Sequence, residues 1–434
     1  MKKMLHLLVT FVLFAGIPAA SGEVITLARA VETGLADNPS IEAARSRITQ
    51  AEETVREAEA LWYPTLEASG SYTRNERSDN SLEGFPESDK TQETYSTGLS
   101  GQWVLFSGFE RKYRTMAARL ARKGRRASLE DAQRVLVSAI ADTYFSAQLA
   151  LKNREIAEAD RKFNREQLKE AEIKKKVGTG ALSDLYNFQI KVNTAETEIE
   201  SAAYQYKIAR AALAALLGIS APMAHLPEPA PLAPEKKEEM VLPDIAVYTD
   251  KALARRPDIR EGELSLKRAE ADIGAAKAAY WPVVSLSGGV SADRTGSATV
   301  ETDDLAGSVM LGLSYPMFQG GKNQAALYRA MAVKEEAEQT LESLETDIAS
   351  EVLQEGSKVI SFQKQLRLQR ENTRLVKKTR DLVESEYRAG QTSLVRLNEA
   401  QTELITARGR LALALVNLRQ AWSRLKTAAG STEI

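Results

Sequence analysis

The chain has 434 residues, and its 58 basic and 59 acidic side chains leave a formal net charge of −1, a balance that gives no support to nucleic-acid binding. It contains no cysteine, which excludes a structural disulfide, a thiol nucleophile and a lipid-modified N-terminal cysteine. Its two histidines, His6 and His225, leave almost nothing for histidine-based catalysis or zinc ligation, so we expect no catalytic residue, no metal site and no cofactor.

The first residues have the pattern of a secretory signal peptide. Lys2 and Lys3 precede an apolar run from Leu5 to Ile17, and small residues follow as far as Gly22. The run is too short to cross a bilayer as a helix, and no later stretch reaches about 20 apolar residues. We therefore expect cleavage after Gly22 and an exported chain whose membrane-spanning part, if it has one, consists of β-strands.

The sequence after the predicted signal peptide is a tandem duplication of one unit. The segment Asn38–Pro64 corresponds to Arg256–Pro282, 218 residues later, and the motif that begins at Phe106 corresponds to the one at Phe318, 212 residues later. The difference in length falls between Tyr72 and Leu99, which is typical of a tolerant surface loop in a tandem duplication.

This duplication predicts the organisation of the chain. The predicted parts are a signal peptide 1–22, a first repeat 23–218, a proline-rich linker 219–243 and a second repeat 244–434. In the first repeat we expect a β-hairpin at about 64–106, a long helix at about 109–177 and a return helix at about 181–217. The counterparts are expected at about 282–318, 321–389 and 393–428. We interpret the linker as extended and not packed.

Each repeat opens with two short helices. The first is expected around Thr26–Ala36, followed by Asn38 as an N-cap and Pro39 at the first helical position, where its missing N–H is harmless. The second runs to about Leu61, and its counterpart runs to about Ala279.

After Pro64 the spacing between apolar residues changes from about four residues to two. Apolar positions alternate with polar ones in both repeats: Leu66, Ala68, Gly70 and Tyr72, then Val284, Leu286, Gly288 and Val290, with Leu99, Trp103 and Leu105 in a returning strand. Such strands fit a transmembrane barrel wall with an aqueous interior. Four strands cannot close a barrel and open edges are not tolerated in lipid, so several copies must pool their strands. A soluble antiparallel sheet packed on helices would show the same alternation.

The segments from Glu110 to about Lys176 and from Lys322 to about Arg388 contain no proline and one glycine each, which predicts very long helices. The second return helix has apolar residues at alternating steps of three and four: Leu397, Ala400, Leu404, Ala407, Leu411, Ala414, Leu418, Ala421, Leu425 and Ala428. This spacing indicates coiled-coil packing, although a coiled coil without any pore would show the same seam.

The chain resembles the TolC family of outer-membrane efflux and secretion proteins over essentially the whole mature sequence. The matching segments are Ile25–Val31 before Asn38-Pro39, Trp62-Tyr63-Pro64 and Tyr280-Trp281-Pro282, Leu105–Gly108 and Met317–Gly320, and the tips Val177-Gly178-Thr179 and Arg388-Ala389-Gly390. Each motif is weak alone, and their order, duplication and spacing together carry the resemblance.

The resemblance implies a fold that is mainly α with a membrane β-barrel portion. Each tandem-repeat protomer of long coiled-coil helices would add four strands to a trimeric 12-stranded β-barrel and its helices to an α-barrel in the periplasm. The short helices and the linker would form an equatorial belt. Without a cysteine to acylate, anchoring in the outer membrane would come from the barrel alone.

The implied function is the outer-membrane channel of a tripartite efflux or type I secretion system, a passive duct and not an enzyme. The implied partners are two further copies in a homotrimer, a periplasmic adaptor (membrane fusion) protein, an inner-membrane transporter and outer-membrane lipid. The residues expected to contact the adaptor lie at the helical tips: Val177, Gly178, Thr179, Arg388, Ala389, Gly390 and Gln391. A periplasmic adaptor, or a structural coiled coil without a pore, is the alternative.

Family members often place acidic residues near a closed periplasmic aperture, shortly after the second tip glycine. Here Glu399 keeps an acid, Arg396 stands where an acid is often found, and Asp184 is its equivalent in the first repeat. We hypothesise that these three residues line or latch the aperture, where threefold-related carboxylates would repel one another or bind a cation unless a basic neighbour compensates. Ordinary solvated residues near a helix end are the alternative.

Overall fold

The computed structural model describes residues 24–76, 91–220, 226–299 and 301–432. The predicted signal peptide with its cleavage point after Gly22, residues 77–90 of the surface loop predicted between Tyr72 and Leu99, and His225 lie outside the described residues.

The two halves contain the same elements in the same order. The first half consists of β1 (Val24–Ile25), α1 (Leu27–Asp37), α2 (Pro39–Ala60), β2 (Thr65–Glu76), β3 (Thr91–Ser107), α3 (Glu110–Lys176) and α4 (Leu182–Leu216). The remainder consists of β4 (Glu228–Pro229), α5 (Ile245–Arg255), α6 (Pro257–Lys277), β5 (Val283–Thr295), β6 (Leu305–Ser314), α7 (Lys322–Arg388) and α8 (Leu394–Ala428). Each half is thus a pair of short helices, a β-hairpin and a pair of long helices.

The short helices fix the ends of the return helices. Asn38 caps α2, and its side-chain amide also donates a hydrogen bond to the carbonyl of Leu216 at 2.7 Å, where α4 ends. Its repeat counterpart Arg256 donates from Nη1 to the carbonyl of Ala428 at 3.1 Å, where α8 ends. The same position in each repeat therefore satisfies a carbonyl that the last helical turn leaves without a partner.

The four long strands form one antiparallel sheet in the order β2-β3-β5-β6. The register pairs Tyr72 with Tyr95, Leu99 with Val290 and Leu286 with Leu311, so apolar side chains from all four strands share one face. The opposite face carries mainly serine, threonine and glycine, because successive residues of a strand point to opposite sides. A shift in register between Val104 and Phe106 interrupts the alternation at Leu105.

The long helices α3 and α7 have 67 residues each and pack as coiled-coil hairpins with α4 and α8. Helix α8 also packs against α3, so the order across the bundle is α7, α8, α3, α4. The α8 positions predicted to form the seam are buried, except Leu411, which is half-buried. They pack on α7 residues such as Val352, Val359 and Leu366. Among the helices of the described ranges, none is both long and apolar enough to cross a membrane.

The described part of the linker contains a short 3-10 helix, Lys237–Met240, and the prediction that the linker is unpacked is wrong. Gln148 of α3 donates to the carbonyl of Ala230 at 2.6 Å, and Gln363 of α7 donates to the carbonyl of Glu239 at 3.0 Å. The indole of Trp422 on α8 donates to the same carbonyl of Glu239 at 2.8 Å. Because proline has no backbone N–H, this segment has fewer backbone donors than acceptors. Side chains of the long helices donate hydrogen bonds to several of its carbonyls instead.

Candidate functional site

The tips of the two helical hairpins are tight turns built around a left-handed glycine. Gly178 has φ 80° and Gly390 has φ 73°, conformations that glycine adopts without the steric cost of a Cβ. The turns close with backbone hydrogen bonds from Thr179 to the carbonyl of Lys174 at 2.9 Å and from Gln391 to that of Glu386 at 2.9 Å. All seven residues predicted to contact an adaptor are exposed.

The two tips are joined by side chains near the ends of α3 and α7. Arg388 lies 3.6 Å from Glu170 of α3 and 2.8 Å from Glu384 of its own helix. Deeper in the junction, Phe188, Val383 and Leu397 form a small apolar core between the hairpins. The tips are therefore adjacent in the protomer, held by packing and by a partly exposed ion pair.

One of the three aperture candidates has a partner in the other hairpin. Asp184, in the first turn of α4, accepts a hydrogen bond from the hydroxyl of Tyr387 near the end of α7 at 3.5 Å. The ammonium of Lys174 lies 5.4 Å from the centre of the Tyr387 ring. Burial raises the pKa of Tyr387, and the charge of Asp184 raises it further, so the phenol keeps its proton and remains a donor.

The other two aperture candidates differ from Asp184 in their side-chain contacts. Arg396 and Glu399 are exposed on α8, and within the described ranges their side chains form no hydrogen bond or ion pair. The backbone N–H of Arg396 donates to the hydroxyl of Ser393, which caps α8. The structure thus joins Asp184 to Tyr387, and among the described residues no hydrogen bond or ion pair joins Asp184, Arg396 and Glu399 to one another.

Sequence reasoning missed the polar contacts that bind α8 to the first hairpin. Gln401 donates to Asp160 of α3 at 2.7 Å, and Asn398 donates to Asn187 of α4 at 2.8 Å. Burial raises the pKa of Asp160, although the hydrogen bond from Gln401 opposes the change. In the sequence, Gln401 and Asn398 are visible as polar residues beside the heptad seam, but the heptad spacing does not identify their partners.

The sheet presents a large exposed apolar surface. Leu66 is 76% exposed, Val309 is 83% exposed and Leu313 is 72% exposed in the protomer. Aromatic side chains gather where the strands meet the helices, among them Trp62, Trp103, Phe106, Phe109, Trp281 and Phe318. Apolar patches of this extent mark surfaces that contact protein or lipid.

Acidic side chains do not cluster into a metal site in the part of the chain that the structure describes. No group of three or more histidine, cysteine, aspartate or glutamate residues there has an arrangement that could hold a metal ion.

The model of the family described as "Outer membrane efflux protein" matches residues 30–219 and 248–431. The cation efflux system protein CusC of Escherichia coli O157:H7 is 31% identical over 309 residues, which are 68% of this chain and 62% of the relative. Nodulation protein T of Rhizobium leguminosarum bv. trifolii is 26% identical over 410 residues, 92% of this chain and 84% of that protein. The match thus spans less than two thirds of the length of CusC.

Solved structures of outer-membrane channels share the fold. The CmeC outer membrane channel of Campylobacter jejuni superposes with a TM-score of 0.79 at 17% identity, over 93% of this chain and 85% of that chain. VceC of Vibrio cholerae superposes with a TM-score of 0.76 at 19% identity, over 93% of this chain and 96% of that chain. The resemblance and the fold class inferred from the sequence are confirmed by these matches.

Proposed function

Because the chain belongs to the outer membrane efflux protein family, we propose that it is the outer-membrane channel of a tripartite efflux or type I secretion system. One observation carries the proposal. The sheet has an exposed apolar face and a face of small polar residues, and its strands run directly into helices 67 residues long. A wall that meets lipid on one side and water on the other has this composition.

The channel is proposed to be a homotrimer. Within the described sheet, β2 and β6 each border a single strand, so each leaves one edge unpaired. Unpaired strand edges are not stable in hydrocarbon, where no water satisfies their backbone groups. Three copies joined edge to edge give a 12-stranded β-barrel in the outer membrane, and their helices continue into the periplasm as an α-barrel.

The tips are proposed to contact a periplasmic adaptor protein that connects the duct to an inner-membrane transporter. The seven exposed tip residues from Val177 to Thr179 and from Arg388 to Gln391 support this assignment, because their turns project from the end of the bundle opposite the sheet.

Asp184, Arg396 and Glu399 are proposed to control the aperture by two means. The hydrogen bond from Tyr387 to Asp184 ties the second hairpin to the first within a protomer. Arg396 and Glu399, which are exposed in the protomer, would meet their symmetry mates in the trimer. We expect Arg396→Glu or Glu399→Lys to change the permeability of cells to large antibiotics, and unchanged permeability in both variants would contradict this role.

The first test is conductance of the purified protein in a planar lipid bilayer, together with its oligomeric mass in detergent. We expect a trimer with small, cation-preferring conductance steps, as a duct held nearly shut at its periplasmic end would give. A monomer without conductance would contradict the proposal and would favour a periplasmic adaptor or a structural coiled coil.

A further inference from the structure

The start of α3 carries a concentration of positive charge that its repeat counterpart lacks. The segment 110–126 contains eight lysine and arginine residues and a single acid, Glu110. The corresponding segment 322–338, at the start of α7, contains three basic and three acidic residues. The duplicated fold requires a helix at both places, so the excess charge of the first segment is not explained by helix formation.

Part of this charge lines an open groove of about 710 Å³ between the end of α2 and the start of α3. Its floor is apolar, formed by Trp62, Tyr63, Met116 and Leu120, and its cations are Lys112, Arg119 and Lys123. Lys112, Met116, Arg119 and Lys123 recur at helical spacing on one face of α3, over a rise of about 16 Å. Glu59 and Thr115 also line the groove, which therefore combines an apolar floor, a column of positive charge and the carboxylate of Glu59.

The cations of the groove are largely uncompensated. Arg119 pairs with Glu59 at 2.7 Å, with both side chains about half exposed. Within the described ranges, Lys112 and Lys123 form no ion pair, and Lys112 contacts only the ring of Tyr113, at 5.9 Å. Two exposed ammonium groups are thus left to attract an anion from outside the protomer.

The groove continues the apolar face of the sheet. The indole of Trp103, which lies in register with Leu286 on that face, donates a hydrogen bond to the carbonyl of Trp62 at 3.0 Å. The Trp62 ring is fixed by the guanidinium of Arg111, 4.5 Å from its centre. Tryptophan and tyrosine at the end of membrane strands lie at the level of the lipid headgroups.

We propose that this groove binds the headgroup of an anionic phospholipid from the leaflet that faces the periplasm. The apolar floor would contact the first part of the acyl chains, and Lys112, with Arg119 and Lys123 behind it, would contact the phosphate. Basic pockets that border apolar surface at a membrane interface have the chemistry to recognise such headgroups. The inference rests on the proposed membrane position of the sheet.

The repeat counterpart supplies the substitutions for a test. The counterparts of Lys112, Arg119 and Lys123 are Gln324, Met331 and Glu335, so the variant Lys112→Gln/Arg119→Met/Lys123→Glu copies residues that the same fold already accepts. The control variant Lys162→Gln/Arg165→Met/Lys169→Glu makes the same changes farther along α3, where Arg165 likewise pairs with a glutamate.

The purified full chain in detergent is titrated with cardiolipin, phosphatidylcholine or inorganic phosphate, and bound species are counted by native mass spectrometry. At about fivefold in affinity for each cation near a lipid surface, loss of the two unpaired lysines alone corresponds to about 25-fold, and we expect the groove variant to bind cardiolipin at least that much more weakly than the wild type and the control variant. Phosphatidylcholine and inorganic phosphate should bind equally weakly to all three proteins.

Equal cardiolipin binding by the groove and control variants would overturn the site, and so would inorganic phosphate binding that matches that of cardiolipin. Loss of the trimer in the groove variant alone would instead assign the groove to contact between copies. Failure of the wild-type chain to insert into phosphatidylethanolamine vesicles would contradict the proposed function itself, which separates the two failures.

Discussion

At the scale of single residues, the contact with the clearest consequence joins Tyr387 to Asp184. It crosses from α7 to α4, and therefore from one repeat to the other, at the end of the bundle that carries the tips. A hydrogen bond from a hydroxyl as long as 3.5 Å contributes about 0.5 kcal/mol, the lower end of the usual range, which biases an equilibrium between two arrangements without locking it. Such a contact suits the proposed aperture, which would open when an adaptor binds the tips.

The variant Tyr387→Phe removes this hydrogen bond and keeps the ring. We expect the open probability in planar bilayers to rise by about twofold, the factor that corresponds to one long, partly exposed hydrogen bond. Tyr186→Phe is the control, because Tyr186 is an exposed tyrosine of α4 in the same region. If both variants conduct like the wild type, Tyr387 has no role in closing the duct.

Asp160 predicts a dependence of stability on pH. Because burial raises the pKa of Asp160 in the folded state above its unfolded value of about 3.9, folding takes up a proton between the two values. The contribution of Asp160 to stability is therefore larger below this window and decreases as the pH rises through it. We expect Asp160→Asn to flatten the decrease in melting temperature across this window and to be at least as stable as the wild type at neutral pH.

Thermal unfolding of the purified protein at a series of pH values measures this effect. Asp250→Asn, a substitution at an exposed residue of α5, is the control and should follow the wild-type profile. A profile for Asp160→Asn as steep as that of the wild type would show that another group causes the pH dependence.

At the scale of elements, the two repeats use different side chains to satisfy the last carbonyl of each return helix. Asn38 and Arg256 occupy equivalent positions and reach equivalent carbonyls at the ends of α4 and α8. Arg256 is only 6% exposed and also pairs with Asp258 at 2.7 Å and with Glu351 at 2.5 Å. The second repeat therefore depends on a buried arginine with two partly exposed acidic partners, where the first repeat uses a neutral amide.

This difference predicts unequal costs for equivalent substitutions. Arg256→Met removes the arginine that pairs with the half-buried Asp258 and leaves the more distant Arg134, at 3.9 Å, beside that carboxylate; it should lower the free energy of unfolding by about 3 kcal/mol. Asn38→Ala removes a helix cap and a neutral hydrogen bond and should cost about 1–2 kcal/mol. Denaturant unfolding at a fixed protein concentration compares the two variants, and equal costs would contradict the importance of the ion pairs of Arg256.

At the scale of the whole molecule, the two faces of the sheet determine where the protein resides. Val309 and Ser308 are neighbours on β6 and lie on opposite faces. In the proposed trimer, Val309 meets lipid and Ser308 meets water. The long helices have no comparable exposed apolar face, because their apolar seams pack against one another within the bundle.

The variant Val309→Arg should reduce assembly in the outer membrane, because an arginine on the lipid face costs about 2–4 kcal/mol near the bilayer centre. Ser308→Arg is the matched control and should assemble nearly as well as the wild type while changing ion selectivity. The amount of trimer in isolated outer membranes measures both. Equal assembly of the two variants would contradict the assignment of the faces.

The sequence predicts most of the features that depend on periodicity, but not the register shift that interrupts the alternation at Leu105. Alternation after Pro64 identifies the two faces of the sheet, and the three–four spacing from Leu397 to Ala428 identifies the buried side of α8. These patterns are readable because each strand or helix buries one side along its whole length. Duplication with an almost constant offset reveals the repeat, and the motifs in order carry the resemblance to a family.

Only the tertiary structure decides which residues meet across elements. Tyr387 and Asp184 are 203 residues apart, Gln401 and Asp160 are 241 apart, and no repeat or heptad links either pair. The prolines and charges of the linker predict an exposed segment, whereas Gln148, Gln363 and Trp422 donate hydrogen bonds to its carbonyls. Such contacts depend on how neighbouring helices are shifted along one another, and the packing of the whole bundle, not the period of any one helix, sets that shift.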